Sequence, residues 1–385
     1  MAEDFRARIV ESRVIYLDYQ ATTPVAPEVA AAMQPWMADK FANPHSPSRW
    51  GSEAAAAIEV ARKQVARAIG LEGGSLAFTG SATEALNWAL KGAMEKAVPG
   101  RNRIVTVATE HAAVLDTCEW LEGRGYDVVR LPVGSDGLID LDDVKAVLDE
   151  RVAIVSVMLV NNEIGVIQPV GEVASLAHDV GALMLCDAVQ GLGRVDIPEG
   201  PDLVATSAHK VHGPKGIGAL WMRQDAEPAP LIHGGGQEQG IRSGTLSPML
   251  CVGFGAAAKL AADRRHVDHE HVEDLWITAG SSLMADWIIN GSMTHRYHGN
   301  LNICWPGLDA SRLIGELRDV AFSLGSACAS GSGRPSHVLR AIGLSDRDAR
   351  SSIRLGFGRY TTKEEVIDAV NRIDAAARVQ QGWAA

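Results

Sequence analysis

Hydrophobic positions in the first 260 residues follow two different spacings. In the segment EAAAAIEVARKQVARAI (53–69), apolar residues recur every three or four positions and Gly70 follows, so the spacing predicts a helix that ends there. Between such stretches lie short apolar or β-branched runs, at 76–80, 104–108, 128–133, 152–160, 182–188 and 203–208. Runs of this kind are typical of strands buried on both faces. The alternation predicts a parallel sheet covered by helices.

The pattern changes after about residue 260. A charged stretch that begins as a helix, ADRRHVDHEHVEDLW, is followed by the apolar runs NLNICW, DVAFSL and SSIRLGF, which turns and helices separate. A chain of 385 residues also exceeds the size at which single cores usually stop growing. We therefore expect a large domain over residues 15–261 and a smaller α+β domain formed by residues 1–14 and 262–385.

Composition narrows the classes of partner. The chain is 46% hydrophobic and 22% charged, as in ordinary globular proteins, and its net charge of −11 argues against direct nucleic-acid binding. No run approaches the roughly 20 apolar residues that a membrane span needs, and no secretory signal is visible. The five cysteines lie far apart without a CxxC pair, which supports neither a disulfide nor a metal site. A reduced, cytoplasmic protein is the simplest expectation.

Polar residues follow most of the predicted strands. In open parallel sheets, ligands bind beyond the carboxyl ends of the strands. Taken alone, each of these residues has an ordinary structural interpretation, such as a helix cap or a solvated charge. Taken together, they include an Asp that can pair with a pyridinium nitrogen and a Lys that can form a Schiff base, which is what pyridoxal 5′-phosphate (PLP) requires. The residues in question are Ser81, Ala82, Thr83, His111, Asn162, Asp187, Gln190, Ser207, His209 and Lys210.

Several segments closely resemble the NifS/IscS-type cysteine desulfurases, in register from about residue 14 to about residue 375. The resemblance implies an α/β, fold-type I PLP-dependent transferase, with a mainly parallel seven-stranded sheet in the large domain and a smaller α+β domain. It also implies a homodimer that converts L-cysteine to L-alanine. The segments are YLDYQATTP (16–24), FTGSATEALN (78–87), TEHAAVLDTC (109–118), VNNEIGVIQP (160–169), CDAVQGLG (186–193), SAHKVHGPKGIGAL (207–220), HGGGQEQGIRSGT (233–245) and GSACASGSGRPSHVLRAIG (325–343).

The resemblance also implies roles for individual residues. Lys210 matches the Schiff-base lysine, Asp187 the carboxylate that faces the pyridine nitrogen, and His111 the histidine stacked on the cofactor ring. Arg354 matches the arginine that binds the substrate carboxylate, and Asn162 lies near that carboxylate in the family. The remaining implied cofactor contacts are Ala82, Thr83, Ser207 and His209 at the phosphate, Asn162 and Gln190 near the phenolic oxygen, and Thr245 at the phosphate of the neighbouring subunit.

A single cysteine, Cys328, lies in the Ser- and Gly-rich stretch SLGSACASGSGRPS. It matches the family's nucleophile, which takes the substrate sulfur as a persulfide and passes it to an acceptor. We expect the other cysteines to be core residues: Cys118, Cys186, Cys251 and Cys304. In the loop HGGGQEQG, Gln237 and Gln239 stand where relatives often carry His and Arg. The family's contacts with partner proteins and the details of its pocket therefore do not carry over to this loop.

Other functions remain open at this stage. Selenocysteine lyase shares cofactor and fold, and the sulfur acceptor could serve iron–sulfur cluster assembly, which we expect, or tRNA or DNA thiolation. An aminotransferase has no use for a thiol nucleophile. A catalytically silent binding protein would not need the combination of Lys210, Asp187, His111 and Cys328. A redox-sensing role for Cys328 would leave the other three unexplained.

Overall fold

A seven-stranded sheet forms the centre of the protein. The computed structural model describes residues 14–283, 286–325 and 335–382. Strand β8 is antiparallel to both of its neighbours, and the remaining pairs are parallel, which confirms the predicted mainly parallel sheet. In spatial order the strands are β2 (Gly74–Thr79), β8 (Gly218–Arg223), β7 (Leu203–Ser207), β6 (Leu183–Asp187), β5 (Val152–Met158), β3 (Arg103–Val107) and β4 (Asp127–Leu131).

Strand β8 is the one strand of this sheet that the sequence analysis did not identify. Only a short connection, which includes a 3-10 turn over Ala208–Lys210, joins β7 to β8. A parallel crossover needs a dozen or more residues, usually with a helix, so a connection of this length returns the chain antiparallel. The turn that carries Lys210 is therefore held between two paired strands.

Helices cover both faces of the sheet. The predicted helix 53–69 lies inside the helix α2, which begins at Arg49 because the Ser48 side chain accepts a hydrogen bond from the Gly51 N–H (3.1 Å). It ends at Gly70, whose φ of 83° is left-handed. The helices up to residue 282 are α1 (Pro27–Met33), α2 (Arg49–Ile69), α3 (Ala82–Lys96), α4 (Ala112–Glu122), α5 (Leu141–Val147), α6 (Val170–Asp179) and α7 (Pro248–Ser282).

The two faces carry separate hydrophobic cores. Ile154 packs with α3 and α4 on one face, whereas its neighbour Val155 packs with α2, α6 and α7 on the other. Successive side chains of a strand point to opposite faces, so a strand between two helix layers must be apolar at every position. This explains why the strand runs are continuous rather than alternating.

A smaller, four-stranded antiparallel sheet lies after α7. The short strand β1 (Ile15–Tyr16) pairs with β11 (Val320–Ala321) beside it. The boundary that we place at residue 261 falls inside α7, and the division into two domains stays a prediction. The order in the sheet is β12 (Ser323–Leu324), β13 (Ser352–Gly356), β10 (Asn300–Cys304) and β9 (Ile288–Ile289). The helices here are α8 (Ala310–Glu316), α9 (His337–Ala341), α10 (Asp346–Arg350) and α11 (Lys363–Gly382).

Among the described residues, no helix is long and apolar enough to span a membrane.

Core packing against α7 gives a stability prediction. Phe254 on α7 is fully buried, and its ring centroid lies 6.3 Å from that of Phe78. Phe254→Ala should lower the free energy of unfolding by about 3–5 kcal/mol, since the transfer and cavity terms add. Val267→Ala, on the same helix but 56% exposed, should change it by less than about 0.5 kcal/mol. Denaturant unfolding measures both, and equal losses would contradict this account of the core.

Candidate active site

A cavity of about 650 Å³ lies at the carboxyl ends of the central strands. Asp187 ends β6 and Ser207 ends β7, so the sheet itself places these two side chains at its edge. The predicted site residues that line the cavity are Ala82, Thr83, His111, Asn162, Asp187, Gln190, Ser207, His209, Lys210 and Arg354. Thr245 is not among the lining residues, and Cys328 lies outside the described residues.

Helix α3 brings its N-terminus to this cavity. Ser81 is the N-cap, and its side chain accepts a hydrogen bond from the Glu84 N–H (3.2 Å). Gly218 of β8 packs directly against this helix start, where a Cβ would lie 2.5 Å from the Ser81 carbonyl carbon and 2.6 Å from the Ala82 nitrogen. Only glycine allows this approach. Free N–H groups and the helix dipole at such a terminus suit a phosphate.

Lys210 is held by backbone oxygens from the start of the chain. Its Nζ donates to the carbonyl oxygen of Gln20 and to that of Ala21, the latter at 2.8 Å. The ammonium is thus oriented by two fixed acceptors on a segment 190 and 189 residues away in sequence. The sequence analysis quoted YLDYQATTP as a motif but assigned no role to Gln20 or Ala21.

The same segment also holds the turn around Lys210. The Thr23 N–H donates to the His209 carbonyl (2.9 Å), and the His212 N–H donates to Thr23 Oγ1 (2.7 Å). Thr22 Oγ1 lies 3.1 Å from His209 Nδ1. We define residues 20–26 and 207–213, with these contacts, as the lysine clamp. The clamp fixes the lysine-bearing turn through backbone groups of both segments and through the hydroxyl groups of Thr22 and Thr23.

His111 is both a cavity residue and the N-cap of α4. Its Nδ1 accepts a hydrogen bond from the Ala113 N–H (3.1 Å), so the neutral ring carries its proton on Nε2. Burial lowers the pKa of His111, with a further lowering from Lys210 that Asp187 opposes. The ring is therefore neutral near pH 7, with its proton on Nε2.

Asp187 is a buried carboxyl group with polar support. Burial raises the pKa of Asp187, whereas a hydrogen bond from the Val189 N–H (2.9 Å) and the charges of His111 and Lys210 lower it. A further positive charge next to this carboxyl group would favour its ionised form. The environment of Asp187 therefore fits the protonated ring nitrogen of a pyridine.

Arg354 on β13 is almost completely buried and already has an anionic partner. Its Nη2 donates to Asp18 Oδ1 (2.7 Å), and its Nη1 donates to the Asn162 carbonyl (2.9 Å). Its Nε is buried and has no hydrogen-bond partner within the described residues. Nη2 also donates to Ser323 Oγ (3.2 Å), so two of the five N–H donors, the one on Nε and one on Nη1, have no partner among the described residues. The sequence analysis missed Asp18, because no local spacing links residues 18 and 354.

Glu163 holds the chain on one side of the cysteine-bearing stretch. Its carboxylate accepts a hydrogen bond from Ser336 Oγ (2.5 Å), and burial raises the pKa of Glu163. Asn302 Nδ2 donates to the Glu163 carbonyl (3.0 Å) and to that of Gly325 (3.3 Å). Gly325 and Ser336 thus share a buried polar network. The sequence analysis gave Glu163 no direct role, and this contact supplies a structural one.

Comparison with known proteins agrees with this geometry. A family profile described as aminotransferase class-V matches residues 15–369. The chain belongs to the aminotransferase class-V family. A protein named cysteine desulfurase IscS, from Rickettsia bellii, is 44% identical over 368 residues, which cover 93% of this chain and 90% of the relative. The IscS of Rickettsia rickettsii gives the same identity and coverage.

Solved structures give the same family. A structure titled NifS-like protein has a TM-score of 0.89 and 33% identity, and covers 95% of this chain and 100% of its own. A structure titled SspA in complex with cysteine has a TM-score of 0.79 and 34% identity, and the match covers 90% of this chain and 99% of that structure's chain. The chain is thus of the NifS/IscS cysteine desulfurase type, as the sequence predicted. PLP is the cofactor of these enzymes.

The cavity residues fit PLP chemically. The α3 terminus with Thr83, Ser207 and His209 supplies donors for a phosphate, and Lys210 supplies an amine for the cofactor carbonyl. Asp187 supplies a carboxyl group whose ionised form a pyridinium would stabilise. Phosphate, carbonyl and ring nitrogen thus each have a suitable partner among the cavity residues.

The lysine clamp makes stability depend on pH through His212. The φ of His212 is 65°, its Nδ1 lies 3.0 Å from the Pro24 oxygen, and burial lowers its pKa to about 3. The unfolded chain has a His pKa of about 6.5 and so binds more protons than the folded chain between these values. The stability that His212 contributes is complete above pH 6.5 and is lost as the pH falls toward 3.

His212→Asn should therefore flatten the acid side of the stability curve, since Asn accepts left-handed backbone and does not titrate. Between pH 6.5 and 4, the fall in unfolding free energy should become shallower by up to about 1.4 kcal/mol per pH unit. Denaturant unfolding at a series of pH values measures this slope. The control is His266→Asn, on the exposed side of α7, and an unchanged slope in His212→Asn would contradict the assignment.

Proposed function

We propose that this chain is a cysteine desulfurase that leaves the sulfur of L-cysteine as a persulfide on Cys328. The observation that carries the proposal is one cavity lined by Lys210, Asp187, His111 and Arg354. In the overall change, the carbon–sulfur bond of cysteine breaks and a sulfur–sulfur bond to Cys328 forms. The thiol proton replaces sulfur on the β-carbon, which gives L-alanine, so no external oxidant or reductant is needed.

Each cavity residue has a role in this scheme. PLP, when bound, supplies an electron sink for the pair left when the substrate α-carbon loses its proton. Lys210 would hold the cofactor through its amine and would move the proton at the substrate α-carbon. Asp187 supports the charged ring nitrogen, and His111 exchanges a proton through Nε2. Arg354 and Asn162 orient the substrate carboxylate.

The substrate class has independent support. The structural relative whose title describes a complex with cysteine shares 34% identity with this chain. Cysteine presents a carboxylate, an amine and a thiol. In the proposal, Arg354 binds the carboxylate, the cofactor held by Lys210 takes the amine, and Cys328 takes the sulfur. A buried guanidinium with an uncommitted Nε suits the carboxylate.

The enzyme is proposed to act as a homodimer in the cytoplasm. Thr245 does not line the cavity of its own chain, which suits a contact with the phosphate of the neighbouring subunit. Three large apolar side chains between the start of α1 and the first turn of α2 are exposed to solvent. Their exposed fractions are 68% for Met37, 71% for Phe41 and 64% for Trp50. A partner subunit would cover such a patch. The proposed destination of the sulfur is a scaffold protein of iron–sulfur cluster assembly.

Loss of the proposed nucleophile should separate chemistry from cofactor binding. Cys328→Ala should keep the visible absorption of bound PLP but lose at least about a hundredfold in sulfide and alanine formation from L-cysteine with a thiol reductant. Cys118→Ala, at a buried cysteine on α4, is the control and should retain turnover. Unimpaired turnover in Cys328→Ala would refute the nucleophile. Turnover of selenocysteine but not cysteine by the unmodified enzyme would refute the substrate.

The shared site predicts a loss of cofactor affinity at Thr245. Thr245→Val removes one hydrogen bond to a charged phosphate, worth about 1.5 kcal/mol, so PLP should dissociate about tenfold more readily. Equilibrium dialysis of PLP measures the affinity, and sedimentation measures the dimer, which should persist. Thr278→Val, on α7, is the control. Unchanged affinity in a dimeric Thr245→Val enzyme would contradict the shared site.

A further inference from the structure

Arg194 lies behind the cavity, next to the proposed cofactor lysine. It follows β6 in the segment CDAVQGLGR and is not among the residues to which the sequence analysis gave a role. Its Nη2 donates to the Lys210 carbonyl (2.9 Å) and to the Tyr19 carbonyl (3.3 Å). Its Nη1 donates to Gln190 Oε1. One guanidinium thus joins three parts of the chain that meet at the cavity.

No carboxylate of the described residues forms a salt bridge with Arg194. Its guanidinium carbon lies 5.4 Å from the ring centroid of Tyr297, whose face is a favourable place for a cation. Burial lowers the pKa of Arg194, yet an arginine in a protein remains charged. Arg194 therefore brings a positive charge to the back of the cavity, and its acceptors are all neutral oxygens.

This contact fixes which way the Gln190 amide points. A guanidinium has donors only, so the atom of Gln190 that faces Arg194 must be the oxygen. The amide nitrogen then points away, and it donates to the Gln20 carbonyl at 2.9 Å. Lys210 Nζ donates to the same carbonyl. The amide nitrogen of Gln190 and the amine of Lys210 therefore lie beside each other at one acceptor.

We propose that Arg194 is a positioning residue that makes Gln190 a hydrogen-bond donor toward the cofactor bound at Lys210. This inference rests on the proposed function, in which Lys210 holds PLP and Gln190 lies near its phenolic oxygen. With Oε1 held by Arg194 and one amide N–H donated to the Gln20 carbonyl, Gln190 offers its second N–H to the phenolic oxygen. A glutamine free to rotate could offer its carbonyl instead, which would repel a phenolate.

The orientation has a measurable electronic consequence. A donor next to the phenolate stabilises the negative charge, and so favours loss of the proton that the oxygen shares with the Lys210–cofactor nitrogen. The positive charge of Arg194 acts in the same direction. Both effects lower the pH at which the visible absorption of bound PLP titrates. Loss of Arg194 should raise that pH.

Other charged and titratable groups face this region and must be constant in the comparison. On the cavity side they are His111, Asp187, His209, Lys215 and Arg354. Around Arg194 they are Tyr19, His212, Arg265, Asp268, His269, Tyr297 and Arg359. None of them is altered in the variants below, so a shift between variants reports the Arg194–Gln190 pair.

The test is a spectroscopic pH titration of the purified holoenzyme. Arg194→Met should raise the titration midpoint of bound PLP by about one pH unit, the size expected for loss of one hydrogen bond to a charged group. Arg194→Lys keeps the positive charge and can still donate a hydrogen bond to Gln190, so its midpoint should lie close to that of the unmodified enzyme. Arg312→Met, which removes an exposed arginine paired with Glu316 on α8, is the control and should titrate like the unmodified enzyme.

A double-mutant cycle separates positioning from a general charge effect. If Arg194 acts through Gln190, Arg194→Met should shift the midpoint little once Gln190→Ala is present. Arg194→Gln replaces Arg194→Met if the latter yields no folded holoenzyme, and should shift the midpoint in the same direction. A midpoint unchanged in either variant, or an equal shift in the Gln190→Ala background, would overturn the inference.

Failure of this inference is distinguishable from failure of the proposed function. An unmodified protein that binds no PLP, or binds PLP but does not convert L-cysteine, would refute the proposed function. An active unmodified enzyme whose titration does not respond to Arg194 would refute only the positioning role.

Discussion

The active cavity depends on the lysine clamp, in which two segments almost 190 residues apart bind each other through backbone groups. The Lys210 ammonium takes its acceptors from Gln20 and Ala21, and the Ala26 N–H donates to the His212 carbonyl (2.9 Å). A flexible lysine would otherwise lose considerable side-chain entropy when it engages a ligand. The clamp meets this cost during folding, at the expense of a left-handed, buried His212. Preorganisation of the amine is thus coupled to global stability.

Three buried carboxyl groups lie in the cavity or next in sequence to residues that line it. Burial raises the pKa of Glu110, Glu163 and Asp187, and Asp187 further raises that of Glu110. Glu110 accepts the Met158 N–H at the end of β5, and its carbonyl lies 2.9 Å from His337 Nε2. The charges of Glu110 and Asp187 interact, and each disfavours the ionisation of the other. A cationic ligand at Asp187 would therefore select this carboxyl group as the ionised one.

The sequence predicted those features that local spacing encodes. Continuous apolar runs located the strands beside the cavity, and residues such as Asp187 and Ser207 followed from their position at strand ends. It did not predict β8, because the antiparallel return depends on a short connection rather than on a repeat. Contacts such as Arg354 with Asp18 were not predictable either. They join residues 336 positions apart, and only the folded sheet brings them together.

In the proposed reaction Arg354 binds the substrate carboxylate, and its pairing with Asp18 changes how that binding should be understood. A buried guanidinium without a partner would pay a large desolvation penalty, which Asp18 offsets before substrate arrives. A substrate carboxylate does not meet a bare cation. It adds to, or exchanges with, the ion pair between Arg354 and Asp18. The binding free energy is therefore the difference between the interaction of Arg354 with the substrate carboxylate and its interaction with Asp18. The cavity consequently favours ligands whose other groups also bind, and a simple carboxylate gains little. Cysteine meets this condition because its amine and its thiol each have their own partner in the proposed reaction.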